Sequence, residues 1–462
     1  MTYGNRKSLL GWLVALAVLA TASQASAYTL KPIYDFCAQQ KCADGAEPLG
    51  PLLMDQSGNL FGTSTFGGTG YGYYGTGGGA VFELSPRPGG GWRERVLHSF
   101  CVETDCTDGS IVNGQLIADA AGNLYGTTRS DSYSCDQFNR CGLVFELMPN
   151  AKRTKWKFKI VYRFCNKASP CRDGSVPLAG LTYAGAASGA SYDGVSPLYV
   201  ATSGTILELI PGNPRWRASI IADKFCHKPL GCNAAPTSNL FVDASGDVYG
   251  ADQFSMWEGV GAIFELSPGA GKRWTETTLH SFCVPQGQNC QTGGIPYAPS
   301  LLGSDKSFFG VTAEGGKWAS PPDDTCQDFN PTGGCGVLYK LVPGGDRAKE
   351  VVLYDFCSET YCADGAFPDP HLSIDSSGNL FGTTSDGGPQ KGGCGEYSLC
   401  PGVVFRFGKD GYQLLYGFCS EANCTDGKEP LGGVIVDAAG NLFGAASGGG
   451  KYGQGRIYEL VP

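Results

Sequence analysis

Seven times along this chain a Phe-Cys pair is followed within a few residues by a second Cys, and five of these clips run on into Asp-Gly. The copies start at Phe36-Cys37, Phe100-Cys101, Phe164-Cys165, Phe225-Cys226, Phe282-Cys283, Phe356-Cys357 and Phe418-Cys419, with second cysteines at Cys42, Cys106, Cys171, Cys232, Cys290, Cys362 and Cys424. A unit recurring every roughly 60 residues cannot bury a core alone, so neighbouring copies must supply each other's apolar contacts.

The second copy shows the unit in full. Gln115–Asp119 reads as a short apolar strand A, Leu124–Thr128 as B, Gly142–Leu147 as C and Trp156–Phe164 as D. In D, Trp156, Phe158, Ile160, Tyr162 and Phe164 alternate with mostly polar residues, the period of a half-buried strand. Four short antiparallel strands repeated radially describe a β-propeller blade. The last copy stops after strand C at Ile457–Leu460, and Tyr28–Phe36 aligns with the D strands of other copies. The expected fold is therefore an all-β, seven-bladed β-propeller of four antiparallel strands per blade, closed by the N-terminal strand completing the last blade. It forms one domain over residues 28–462. Pro32 in the closing segment fits an outer edge, where a sheet tolerates proline.

The Asp-x-x-Gly-Asn-Leu-Phe/Tyr-Gly-Thr run stands at Asp55–Thr63, Asp119–Thr127, Asp375–Thr383 and, ending in Ala445, from Asp437. Followed by a Gly-rich loop and Val-Phe-Glu-Leu, it resembles the GloVer-type tandem repeat of exported bacterial proteins. The resemblance spans nearly all of residues 28–462, although the third and fifth copies lack the Asp-x-x-Gly-Asn turn. It implies export and a repeat fold, and it brings no catalytic motif. The cysteine clips are an addition to the basic repeat.

Residues 1–27 read as a secretory signal, with Arg6 and Lys7, an apolar run from Leu9 to Ala20 and a small-residue cleavage site at Ala25-Ser26-Ala27. A periplasmic or extracellular location is expected, without a membrane span. All twenty cysteines fall into close pairs, which suits disulfides in an oxidising compartment. Besides the seven clips, Cys135/Cys141, Cys326/Cys335 and Cys394/Cys400 are expected to pair locally as staples within B–C loops. Only four histidines accompany them, so a zinc reading has few further ligands. The Asp-x-x-Gly-Asn runs offer too few oxygens for calcium and suit hairpin turns. The formal charge of −9 argues against nucleic acid or an anionic membrane as partner. A monomer is expected, with no cofactor, no metal and no catalytic residue assigned.

Alternating strand directions put the A–B and C–D turns on one face, and the B–C loops and clips on the other. The clipped face carries the long, aromatic, stapled loops. Trp318, Phe329 and Tyr397, with Asp324 and Asp328 as polar partners, are the candidate ligand residues, since flat aromatics beside hydrogen-bonding groups suit sugar rings. Asp44, Asp108, Asp173, Asp364 and Asp426 either cap their crossovers or ring the channel mouth. His98 and His280 stand where other D strands have Tyr and read as space-fillers. No nucleophile elbow, HExxH pair, Walker loop or dinucleotide fingerprint accompanies a suitable structural context. The leading expectation is a binding or scaffold module for a glycan or extracytoplasmic protein. The alternative is a carbohydrate-active hydrolase or lyase, because 43 acidic residues make a carboxylate pair at about 5 to 9 Å inevitable.

Overall fold

The computed structural model describes residues 28–462 apart from 72–76, 131–140, 166–170, 172, 178, 187–190, 213–214, 224–238, 254–260, 284–289, 318–333, 345–346 and 390–400. The expected signal segment lies outside the described residues. Seven antiparallel sheets form a seven-bladed propeller. Blade 1 runs outward through strand A (Ala46–Met54), B (Leu60–Phe66), C (Ala80–Pro86) and D (Trp92–Ser99). Blades 5 and 6 split strand A into Gly294–Pro296 with Leu301–Leu302, and Ala366–Pro368 with Ser373–Ile374. Pro299 and Pro370 fall in the two gaps, where each removes a ladder donor.

The N-terminal strand closes the ring. Thr29–Asp35 pairs antiparallel with Arg456–Val461, from Thr29 opposite Val461 to Asp35 opposite Arg456. The register shifts between Pro32 and Tyr34, where proline interrupts the ladder. Asp35 Oδ1 accepts from Arg456 Nε at 3.0 Å and Nη2 at 2.7 Å, so a largely buried guanidinium is neutralised across the seam.

No blade owns a core. Seven apolar clusters each straddle two neighbouring blades. One of them packs Phe443, Ala445 and Ile457 of blade 7, with Phe36, against Leu52, Leu60 and Phe82 of blade 1. This answers the sequence requirement that each unit borrow its apolar contacts, and a closed ring satisfies it without capping units. The Val-Phe-x-Leu pattern supplies both sides: Val81, Phe82 and Leu84 are fully buried on alternate faces of strand C.

Strand A of blade 2 starts at Ser110, earlier than the Gln115 expected from its pattern. The added segment contains Ile111 at φ 57°, a left-handed residue whose N–H donates to Gly78 O of blade 1 at 2.9 Å. Glu47, Val176, Phe367 and Glu429 make the same stitch to the preceding blade. A non-glycine residue at positive φ reads locally as a turn, which hides this part of the strand in the sequence.

Six of the expected disulfides are seen: Cys37–Cys42, Cys101–Cys106, Cys165–Cys171, Cys283–Cys290, Cys357–Cys362 and Cys419–Cys424. Of the other four pairs, Cys135, Cys226, Cys232, Cys326, Cys394 and Cys400 lie outside the described residues, so the expected Cys135–Cys141 and Cys326–Cys335 bonds are each described at one end only. Cys141 and Cys335 are both disulfide-bonded. They stand in the B–C connections of their blades, where the sequence placed them. Both are fully buried just before strand C of their blades. The Cys141 carbonyl accepts from Val176 N–H of blade 3, and the Cys335 carbonyl from Phe367 N–H of blade 6, each at 2.9 Å. The backbone carbonyls of these two cysteines therefore anchor stitches between blades. No helix among the described residues is long and apolar enough to cross a membrane.

Candidate functional site

The Asp-Gly corners of the clips are caps. Asp44, Asp108, Asp173, Asp364 and Asp426 are all buried. In the sixth clip, Asp364 accepts from Tyr354 Oη (2.6 Å), Ser358 N (2.9 Å), Ser358 Oγ (2.7 Å) and Glu359 N (3.2 Å). Carboxylates consumed in this way do not ring a channel mouth. The A–B turn carboxylates are consumed too. Asp55 Oδ1 accepts from Ser57 N and Asn59 N, and Oδ2 from Asn59 Nδ2, each at 2.9 Å; Asp119, Asp375 and Asp437 repeat the pattern.

The proposed ligand residues Trp318, Phe329, Tyr397, Asp324 and Asp328 lie outside the described residues. The cavity formed by the described residues opens on the face opposite the clips. It has a volume of about 1310 Å³ at the centre of the ring. Asp55–Ser57, Ala120–Gly122, Gly303 and Ser304 line its mouth, and Leu53, Ile117, Tyr183, Leu301 and Ile435 its wall. Among the described residues each strand A has its ladder only with strand B, so its other backbone edge borders the cavity. Some of the groups on that edge are taken up by neighbouring blades, as Val242 O is by Gly185 N–H. At the mouth Arg153 sits 5.8 Å over the Phe61 ring and 5.9 Å over the Trp156 ring, with Asp55 at 3.6 Å.

The floor is built from the residues two places before the penultimate A–B pair. Aligned on Leu53, Ile117, Thr182, Phe241, Leu301, Ser373 and Ile435, that column reads Pro51, Gln115, Gly180, Asn239, Pro299, His371 and Gly433. Polar side chains therefore fall in alternate blades, 2, 4 and 6. Between them the backbones of neighbouring blades touch. A Cβ on Gly114 would lie 2.7 Å from Gly180 N, and one on Gly432 would lie 2.3 Å from Gly50 C. Only glycine allows that approach.

A hydrogen-bond chain crosses the floor from blade 6 to blade 3. Gly180 N–H donates to Asn239 Oδ1 at 2.7 Å, which turns the Asn239 amide nitrogen toward His371 Nε2 at 2.8 Å. Nε2 is then the acceptor, and the imidazole proton belongs on Nδ1, 2.7 Å from Asp369 Oδ1. Asp369 also accepts from His371 N and from Gly432 N of blade 7, both at 2.9 Å. The pair has the composition of a catalytic Asp–His dyad. Its basic nitrogen, however, is capped by Asn239, so the imidazole holds the floor rather than waiting for a ligand proton.

Sequence reading missed this cluster. His371 stands alone in its local sequence, and only the seven-fold column alignment brings it beside Asn239 and Gln115. His98 packs as the sequence implied, stacked on Phe158 at 4.3 Å, whereas His280 is more than a space-filler, its Nε2 lying 3.0 Å from Glu350 Oε2 of the next blade. Three sulfurs, of Cys335, Cys357 and Cys362, gather within metal-binding range. All three cysteines are disulfide-bonded, so they offer no thiolates, and the cluster is two touching staples rather than a metal centre.

No protein-family model matches the chain, and no curated protein matches it. Solved structures match in fold. A puromycin-hydrolysing peptidase of Mycobacterium tuberculosis is 12% identical over 91% of this chain, with a TM-score of 0.48, and this chain spans 52% of that one. A Trypanosoma rangeli sialidase bound to sialic acid is 10% identical, covering 94% of this chain and 58% of its own, with a TM-score of 0.38. A chain from a nidogen/laminin complex is 11% identical over 72% and 86% of the two chains, with a TM-score of 0.35. At these identities and scores the likenesses carry no argument about what the chain does.

Proposed function

We propose that this protein is an exported, disulfide-stapled binding propeller that holds a glycan in its axial cavity. The observation that carries this reading is the cavity itself. At about 1310 Å³ it exceeds the roughly 300–1,000 Å³ of small-molecule sites and suits an oligosaccharide. A sugar both donates and accepts hydrogen bonds around its edge and presents C–H faces between. The cavity offers matching groups: inner-strand backbone edges, the Gln115 amide and aliphatic wall residues. The clips support export, since disulfides persist in oxidising compartments.

A second reading, turnover of the glycan, takes support from the Asp369–His371 pair. The capped Nε2 weighs against it. A glycan array run beside a hydrolysis and lyase screen on the purified exported protein tests both. The expected outcome is saturable retention of a glycan class that is recovered unchanged. Absence of any retained glycan counts against the binding reading, and a released fragment would establish the enzyme.

A further inference from the structure

The glycan reading leaves open what kind of sugar the site prefers, and blade 6 bears on that choice. Position three of Val-Phe-x-Leu is Glu83, Glu146, Glu208, Glu265 and Glu459 in five blades, but Lys340 in blade 5 and Arg406 in blade 6. In blades 1, 2 and 7 the Glu lies opposite a base on strand D: Arg95, Lys159 and Lys31. Lys340 finds Asp305 Oδ2 at 2.8 Å, so the reversed charge in blade 5 is compensated. Arg406 lies opposite Gln413 and Phe381. Its Nε is buried and makes no hydrogen bond, and among the described residues its guanidinium forms no ion pair. Asp375 is near enough to feel it electrostatically, yet both oxygens of Asp375 are held by its own turn.

Arg406 and Lys409 line a hollow of about 380 Å³ with Ser377, Gly378, Asn379 and Asp410. The hollow lies on the same face as the cavity mouth. Ile374, 42% exposed and itself part of the cavity lining, immediately precedes the turn that forms it. Charge on this face is mixed: the A–B turns carry Asp55, Asp119, Asp243, Asp247, Asp305, Asp375 and Asp437, and the bases come from the C–D turns. The C–D turns of blades 1–6, residues 87–91, 150–155, 211–216, 269–273, 343–348 and 409–410, hold nine Lys or Arg against two Asp.

We infer that Arg406 and Lys409 form an oxyanion subsite that receives the carboxylate or sulfate of an acidic glycan whose chain continues into the axial cavity. A planar guanidinium accepts such a group in bidentate fashion, and the lysine adds a point charge. The inference rests on the cavity being the glycan site, and the test separates the two. Binding of a galacturonate trimer, its methyl ester and a sulfated disaccharide is measured by calorimetry for the native protein, Arg406→Glu, Lys409→Gln and Arg87→Gln. Arg406→Glu installs the residue that five other blades tolerate, and Lys409 is exposed, so both variants should fold.

The native protein should prefer the free carboxylate over its ester by about ten-fold or more, as for a hydrogen bond to a charged group. Arg406→Glu and Lys409→Gln should erase or shrink that ratio while ester binding persists, and Arg87→Gln should leave it alone. Preference for the sulfated probe, lost in the same variants, identifies sulfate as the source of the oxyanion. An unchanged ratio in both blade 6 variants, or equal native affinity for acid and ester, overturns the subsite without touching the cavity reading. Loss of all three ligands on blocking the cavity, with the acid preference intact in the native protein, keeps both.

Discussion

Tyr34, Tyr162, Tyr354 and Tyr416 each donate a hydroxyl hydrogen to the Asp of the clip that follows, at 2.8, 2.7, 2.6 and 2.9 Å. Blade 1 has His98 instead, and Asp108 below it accepts from the backbone N–H groups of Val102 and Glu103 with no tyrosine hydroxyl. Burial pushes the His98 imidazole down to about 4, so the folded protein keeps it neutral. The unfolded chain, with a pKa near 6.5, takes up the proton first as pH falls. Its contribution is complete above about 6.5 and is lost between there and about 4, up to about 3 kcal/mol. Glu94, held up to about 7 by burial and by Asp44, runs with the opposite sign, so the informative quantity is a difference between variants. His98→Tyr should raise stability by about 1–2 kcal/mol through the Asp108 bond and flatten the pH 4–6.5 limb. Tyr354 stacked on Tyr412 at 3.9 Å shows that the ring still fits at such a position. Denaturant melts at pH 4.5 and 7 check this, and equal slopes for both proteins would remove the argument. The exchange of His for Tyr was legible in the repeat, but its cost was not, because the partner carboxylate lies ten residues away in a loop.

Strand exchange at the seam was legible because the first and last copies complement each other, and period-two patterning survives in Tyr28–Phe36. The ion pair that seals it was not legible, since Asp35 and Arg456 stand at opposite ends of the chain. Deleting residues 28–36 should strip the outer strand from blade 7, expose the Arg456–Val461 edge and cause aggregation. Asp35→Ala isolates the electrostatic part. It leaves a buried guanidinium without its acid, a loss of about 3 kcal/mol. Light scattering with thermal melts measures both, and a truncated protein that melts like the intact one contradicts closure by strand exchange.

At the scale of the whole ring, the sequence divides the loops correctly between two faces, because strand alternation fixes which connections lie together. It drew attention to the clipped face by aromatic and cysteine content. The cavity lies at the other end, lined by short aliphatic strands with no distinctive composition. Its floor becomes visible only as a column across seven copies, where Gln115, Asn239 and His371 alternate with Gly and Pro. The central claim is that ligand occupies this cavity. Ala118 lines it at the position that Tyr183 fills in blade 3, so Ala118→Trp should fold and obstruct the wall. Calorimetric titration of the glycan selected on the array is the direct measurement. The account predicts at least a ten-fold loss of affinity for Ala118→Trp with an unchanged melting temperature. Native affinity in that variant would contradict it.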